Sequence, residues 1–165
     1  MDLDEVVRDL APRLLRYATG RMGSLSLAED VAQHALTALV QRWRRTGPPE
    51  SPEAFVFAIA RRRAARALFR RRLLVPLQAI AVRPARTSDP EALAVASENG
   101  HLLRVCLARL DRLDREALLL VAASGLRSAD AATLLGISES AVRMRVLRAR
   151  RRLASLLEDP HGPRR

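Results

Sequence analysis

Apolar residues recur at helical spacing along almost the whole of this 165-residue chain, and no useful stretch alternates as a strand would. On the last segment Val142, Val146, Ala149, Leu153 and Leu156 follow an i, i+4, i+7, i+11, i+14 pattern, one apolar stripe on a helix. Aromatic residues make up 3% of the chain, so any core must come from Leu, Val, Ile and Ala. The expectation is an all-α fold: two small helical domains joined by a flexible linker, the C-terminal one a helix-turn-helix.

Local signals set the boundaries. A first helix is expected from Asp4 to Met22, closed by Gly20 to Gly23. A second starts near Ser26, a capping box with Glu29 three residues on, and runs to Arg45. A third has Ser51 as N-cap and Pro52 at its first position, and runs to Leu74. Pro76, Pro84 and Pro90 then interrupt the pattern. The division is therefore residues 1–75, a linker at 76–91, residues 92–159 and a disordered tail at 160–165. Each core would be marginal alone.

Within the second block, Asp111 or Asp114 caps a helix that runs to Ser124, closed by Gly125. Ser128 opens a short helix, Ala129–Leu135. Gly136-Ile137-Ser138 is the turn, with Ala132 as the small residue that admits close packing, and a long helix runs from Glu139 to Leu157. Its face opposite the apolar stripe carries arginines. The N-terminal part of such a helix reaches base edges, which selects Ser140, Arg143 and Met144. Arg148, Arg150, Arg151 and Arg152 are better placed for phosphates.

The charge agrees. With 29 basic and 18 acidic side chains the net charge is +11, which favours a polyanionic partner. Every basic residue is arginine. GC-rich coding explains that best, because lysine is missing even from segments with no expected DNA contact. Cys106 stands alone in an apolar run and reads as a buried small hydrophobe in a reducing compartment. No signal-peptide core and no membrane-length apolar run is present, so the default location is cytoplasmic. Glycine-rich phosphate loops, paired metal-ligand spacings and Ser–His–Asp sets are missing too. No enzyme, cofactor, metal site or small-molecule substrate is expected, and no membrane partner.

Three stretches carry a resemblance. Leu110-Asp-Arg-Leu-Asp-Arg-Glu-Ala-Leu-Leu-Leu, with Leu134-Leu-Gly-Ile-Ser-Glu-Ser-Ala-Val-Arg-Met-Arg145 and Arg148-Ala-Arg150, resembles region 4 of bacterial RNA polymerase sigma factors. Ala28-Glu-Asp-Val-Ala-Gln33 with Trp43 is similar to their region 2 helix that docks on the polymerase clamp. Phe55-Val-Phe-Ala-Ile-Ala-Arg61 is similar to the start of their −10-reading helix. The best match is to the extracytoplasmic-function group. The resemblance implies a sigma factor that binds core RNA polymerase and promoter DNA, with a possible anti-sigma partner. Asp30, Gln33 and Thr37 would then face the clamp, and Ser140, Arg143 and Met144 the −35 element.

Arg62, Arg63, Arg66 and Arg70, within about a third of their helix's circumference, would track the −10 region. The loop from Thr46 to Ser51 falls where the family captures a flipped base, but it has no aromatic residue. Other departures are His34 for Glu, Leu36 for Phe, Phe55 for Trp and Arg66 for Asp. Two alternatives stay open at this level: a free-standing helix-turn-helix regulator, and a clamp adaptor that does not open promoters.

Overall fold

The computed structural model describes residues 2–74 and 90–159. The tail expected at 160–165, and all of the expected linker except Pro90 and Glu91, lie outside them. Among the described residues no strand occurs. The order is α1 (Leu3–Met22), α2 (Leu25–Thr46), α3 (Pro52–Leu74), α4 (Pro90–Ala108), α5 (Arg112–Leu118), a π-helical turn (Leu119–Ala123), α6 (Ser128–Leu135) and α7 (Glu139–Glu158).

Most expected ends hold, and the exceptions have local causes. The Ser51 hydroxyl accepts from the Ala54 amide at 3.1 Å, with Pro52 opening α3. Asp111, not Asp114, caps α5 by accepting from the amides of Leu113 and Asp114. Ser138 caps α7 through the Ala141 amide. The expected Ser26–Glu29 capping box does not form. Gly23, at φ 67°, turns the chain at once, and Ser24 is the extended residue whose carbonyl accepts from Ala28, so α2 begins at Leu25. Ser128 is likewise inside α6 rather than before it.

The α5 helix was expected to continue to Ser124 but widens to π geometry at Leu119. The Leu126 amide reaches back to the Leu120 carbonyl and the Ser124 hydroxyl to that of Leu119. Gly125, at φ 70°, then leaves the helix.

In the first half α1 packs on α2 and α3, which bury Leu14 and Tyr17, Val31 and Leu39, Val56 and Phe57. The Tyr17 and Phe57 rings meet edge to face, with centroids 5.7 Å apart. In the second half α7 lies across α4, α5 and α6, burying Val142, Val146, Ala149 and Leu156. Cys106 is fully buried beneath the Leu156 carbonyl, as its apolar setting suggested.

These two cores are one. Buried residues of both halves form a continuous cluster, with α1 against the π-turn and α3 against α6. Gly20 of α1 faces the Leu119 side chain of the π-turn, and a Cβ added there would require Leu119 Cδ2 to shift. Polar groups reinforce the seam. The carbonyls of Ala123 and Ser124 accept from Arg16 at 2.9 Å and from Arg13 at 2.7 Å, and Arg61 donates to the Leu134 carbonyl. Glu116, 4% exposed, accepts from the Tyr17 hydroxyl and pairs with Arg21 at 2.7 Å, an ion pair outside hydrogen-bond alignment. Burial, reinforced by the Glu116 carboxylate, pushes the Tyr17 pKa well above the ordinary phenol value.

Candidate nucleic-acid interface

The turn between α6 and α7 is built by Gly136 at φ 69°, whose amide and that of Ile137 both return to the Ala132 carbonyl. Ala131 and Ala132 are buried beneath it, where a larger side chain would push the helices apart. The angle so fixed leaves Ser140, Arg143 and Met144 on the outer face of α7, all three exposed. Met144 is 62% exposed, an unusual place for a large apolar side chain and a suitable one for contact with a thymine methyl. Among the described residues Arg143 makes an exposed pair with Glu139 at 3.3 Å, an interaction of little strength in water.

The next turn of α7 is anchored from below. Arg148 grips Asp114 with two hydrogen bonds, at 2.6 and 2.9 Å, and Arg145 adds a third at 2.8 Å. Burial of Asp114 acts to raise its pKa, but the hydrogen bonds from Arg148 and Arg145 outweigh it, and the carboxyl sits below its ordinary value. Arg148 is thus engaged within the protein, although its side chain remains 62% exposed. Arg151 is exposed and Arg152 half-buried on the same helix. Arg150 is exposed but lines a cleft formed with α1 and α4.

A second basic surface runs along α3. Arg62, Arg66 and Arg70 are exposed, and Arg63 pairs with Asp30 of α2 at 3.0 Å, which joins the expected DNA track to the expected clamp face. Arg62 also borders a small polar pocket with Arg112 and Glu116, close to the seam. Gln33 and Thr37 are exposed and line a shallow groove between α1 and α2 with Leu36 and Val40.

One residue escaped the sequence argument. Phe69 is 64% exposed on α3, directly between Leu68 and Arg70 and three residues from Arg66. At about 100° per residue it falls beside Arg62 and Arg66. An aromatic residue on the arginine arc was the available signal.

Comparison with known proteins adds to this geometry. Residues 6–73 match the model of Sigma-70 region 2, and residues 101–153 that of Sigma-70 region 4. The ECF RNA polymerase sigma factor ShbA of Streptomyces griseus is 34% identical over 168 residues, which span 94% of this chain and 87% of the relative. The chain belongs to the ECF RNA polymerase sigma factors. It is a sigma factor that directs promoter-specific transcription initiation.

SigD of Mycobacterium tuberculosis is 30% identical, over 92% of this sigma factor and 74% of its own length. Two solved structures share the fold at TM-score 0.69 and 24% identity: RpoE of Bartonella quintana with the anti-sigma factor NepR, and CnrH with the cytosolic domain of CnrY. They cover 94% of this chain and 96% and 87% of their own. Among the described residues no helix is long and apolar enough to cross a membrane.

Proposed function

We propose that this sigma factor divides its work between the two halves. Residues 1–75 hold the clamp of core RNA polymerase through Asp30, Gln33 and Thr37, and follow the −10 region through Arg62, Arg63, Arg66 and Arg70. Residues 92–159 read the −35 element, with Ser140, Arg143 and Met144 at the bases. Arg151 and Arg152 hold phosphates, as do Arg150 and those donors of Arg148 that Asp114 leaves free. The observation that carries this is the outer face of α7, exposed and basic while its inner face is fixed by the core and Asp114.

Phe69 supplies what the 46–51 loop lacks, a ring on which an unpaired base of the opened strand stacks. Such stacking contributes about 1–3 kcal/mol per base. The protein acts by binding alone, in the cytoplasm where polymerase and promoter meet. An anti-sigma factor, the class of partner named for RpoE of Bartonella quintana, belongs to the same reading.

This function needs the seam to open. The −10 and −35 elements lie about 25 base pairs apart, roughly 85 Å at about 3.4 Å per pair. A compact chain of this length has a radius of gyration near 15 Å, too small to span them. The 15 residues from 75 to 89 reach at most about 50 Å when extended, which lets the halves separate while polymerase carries them apart.

A pull-down on core polymerase tests the assignment. Asp30→Ala with Gln33→Ala should weaken capture at least about tenfold, the scale of one lost charge-assisted contact. Arg63→Ala, which also frees Asp30 from its partner, should leave capture unchanged. Undiminished capture of the double variant would remove the clamp role.

A further inference from the structure

Asp114 meets α7 from beneath as a carboxylate whose side chain is 8% exposed. It stands on α5, which Asp111 caps and which buries Ala117 and Leu118 beside it, so its support is the core itself. The Nε and Nη2 of Arg148 both donate to it, at 2.6 and 2.9 Å, and occupy one edge of the guanidinium. A guanidinium carries donors along more than one edge of its plane. Nη1 and the second hydrogen of Nη2 therefore remain as a further fork, on a side chain that is 62% exposed despite the grip. Arg145 donates to the same carboxylate at 2.8 Å and lies 3.8 Å from Asp111, so Arg148 does not neutralise Asp114 alone.

Arg148 also lies where DNA is expected. It stands one helical turn beyond Met144 and three residues before Arg151, both exposed, at the border of the base-reading face. The Arg143–Glu139 pair differs in kind, with 65% and 44% of its side chains exposed and no buried partner to fix it.

We propose that Asp114 is a positioning residue for promoter DNA, holding Arg148 by one edge so that the other meets a single backbone phosphate of the −35 duplex with its donors already aligned. Such a grip deepens the −35 reading proposed above, on which it rests. The planar fork matches two phosphate oxygens. A free arginine gives up rotamer freedom when it binds, whereas Arg148 has given it up on folding, which is worth about two- to tenfold in affinity. A phosphate held in register along α7 in turn brings base edges before Ser140, Arg143 and Met144.

Charge alone argues the other way. Loss of an acidic group beside DNA strengthens attraction for the polyanion. Asp114→Asn keeps the shape but offers one carbonyl oxygen in place of two, so it releases part of the fork, and binding should weaken instead.

Holoenzyme formed from this chain and bacterial core polymerase, bound to a promoter that the wild type selects, provides the test. Neutral methylphosphonates replace the backbone phosphates of the −35 element one at a time. The ratio of affinities for native and substituted DNA is taken within one protein, so any loss of folded chain cancels. Arg148→Ala should become indifferent to one substitution that weakens the wild type about tenfold, the scale of a lost charge-assisted contact. Asp114→Asn should bind native DNA about two- to tenfold more weakly and lose sensitivity at that same phosphate alone. In the Arg148→Ala background it should no longer weaken binding.

Tighter or unchanged binding by Asp114→Asn would overturn the proposal and leave Asp114 a repelling charge. Equal loss of sensitivity at every phosphate would make it an anchor of α7 and nothing more. Altered base choice by Arg148→Ala, with phosphate sensitivity intact, would make Arg148 a base reader. In each case the wild type still selects promoters; selection of none would remove the −35 reading itself, and this role of Asp114 with it.

Discussion

The Tyr17 hydroxyl donates a hydrogen bond to the Glu116 carboxylate across 99 positions of sequence, tying α1 of the first half to α5 of the second. Both side chains are buried, and Arg21 closes the cluster from the same helix as Tyr17. Removing one partner should therefore matter more than either residue's appearance in the sequence suggests. Tyr17→Phe should lower unfolding stability by about 1–2 kcal/mol. Glu116→Ala strands Arg21 in the seam and should cost about 3–5 kcal/mol. Urea denaturation of the full chain measures both, and equal, negligible effects would mean the halves are not coupled through this cluster.

Asp114 should behave as the anchor of the DNA-reading helix. Asp114→Asn keeps the shape but loses the charge that holds Arg145 and Arg148, and should destabilise the chain by about 1–3 kcal/mol. Circular dichroism melts would show it as a lower midpoint.

The same carboxyl gives a pH dependence of known sign. Its folded-state pKa lies below the ordinary value because Arg148 and Arg145 outweigh its burial. Its contribution is complete at neutral pH and is lost as the pH falls through that depressed value, below about pH 4. Wild type should lose more stability than Asp114→Asn across that window. Parallel losses would contradict the anchor.

Readers and holders on α7 should separate in a binding assay. Arg143→Ala should cost about 1–3 kcal/mol on the preferred −35 duplex and relax choice at one base pair. Arg151→Ala should weaken all duplexes alike and reduce the salt slope by about one. Uniform loss for Arg143→Ala would make it a phosphate contact instead.

Phe69→Ala should leave duplex affinity nearly unchanged but reduce promoter opening, read by 2-aminopurine fluorescence in the −10 region. Phe69→Trp should restore it. An effect on duplex binding equal to that on opening would assign Phe69 to structure rather than stacking.

Much of this architecture is legible locally. Ser51-Pro52, Gly136 and Ser138 act within a few residues of themselves, and the apolar stripe of α7 needs only its own periodicity. The joined core is not legible, because Tyr17 and Glu116 each look like ordinary helix positions until folding brings them together. Asp114 was readable as a cap, but its buried role depends on Arg145 and Arg148, more than 30 residues away. The π-turn escapes for a similar reason: Leu119 to Ala123 is a good helical run, and its widening goes with the Ser124 hydroxyl bond to the Leu119 carbonyl and the Leu126 amide bond to that of Leu120. Arg150 has the right charge for a phosphate contact, and only tertiary packing brings it to the border of the cleft with α1 and α4 as well.

The most direct test is run-off transcription with bacterial core polymerase and a genomic promoter library. Addition of this protein should yield transcripts from a restricted set of promoters sharing −35 and −10 sequences, and Arg143→Ala should broaden that set. No specific transcript with core enzyme that binds the protein would contradict the account and leave a clamp adaptor in its place.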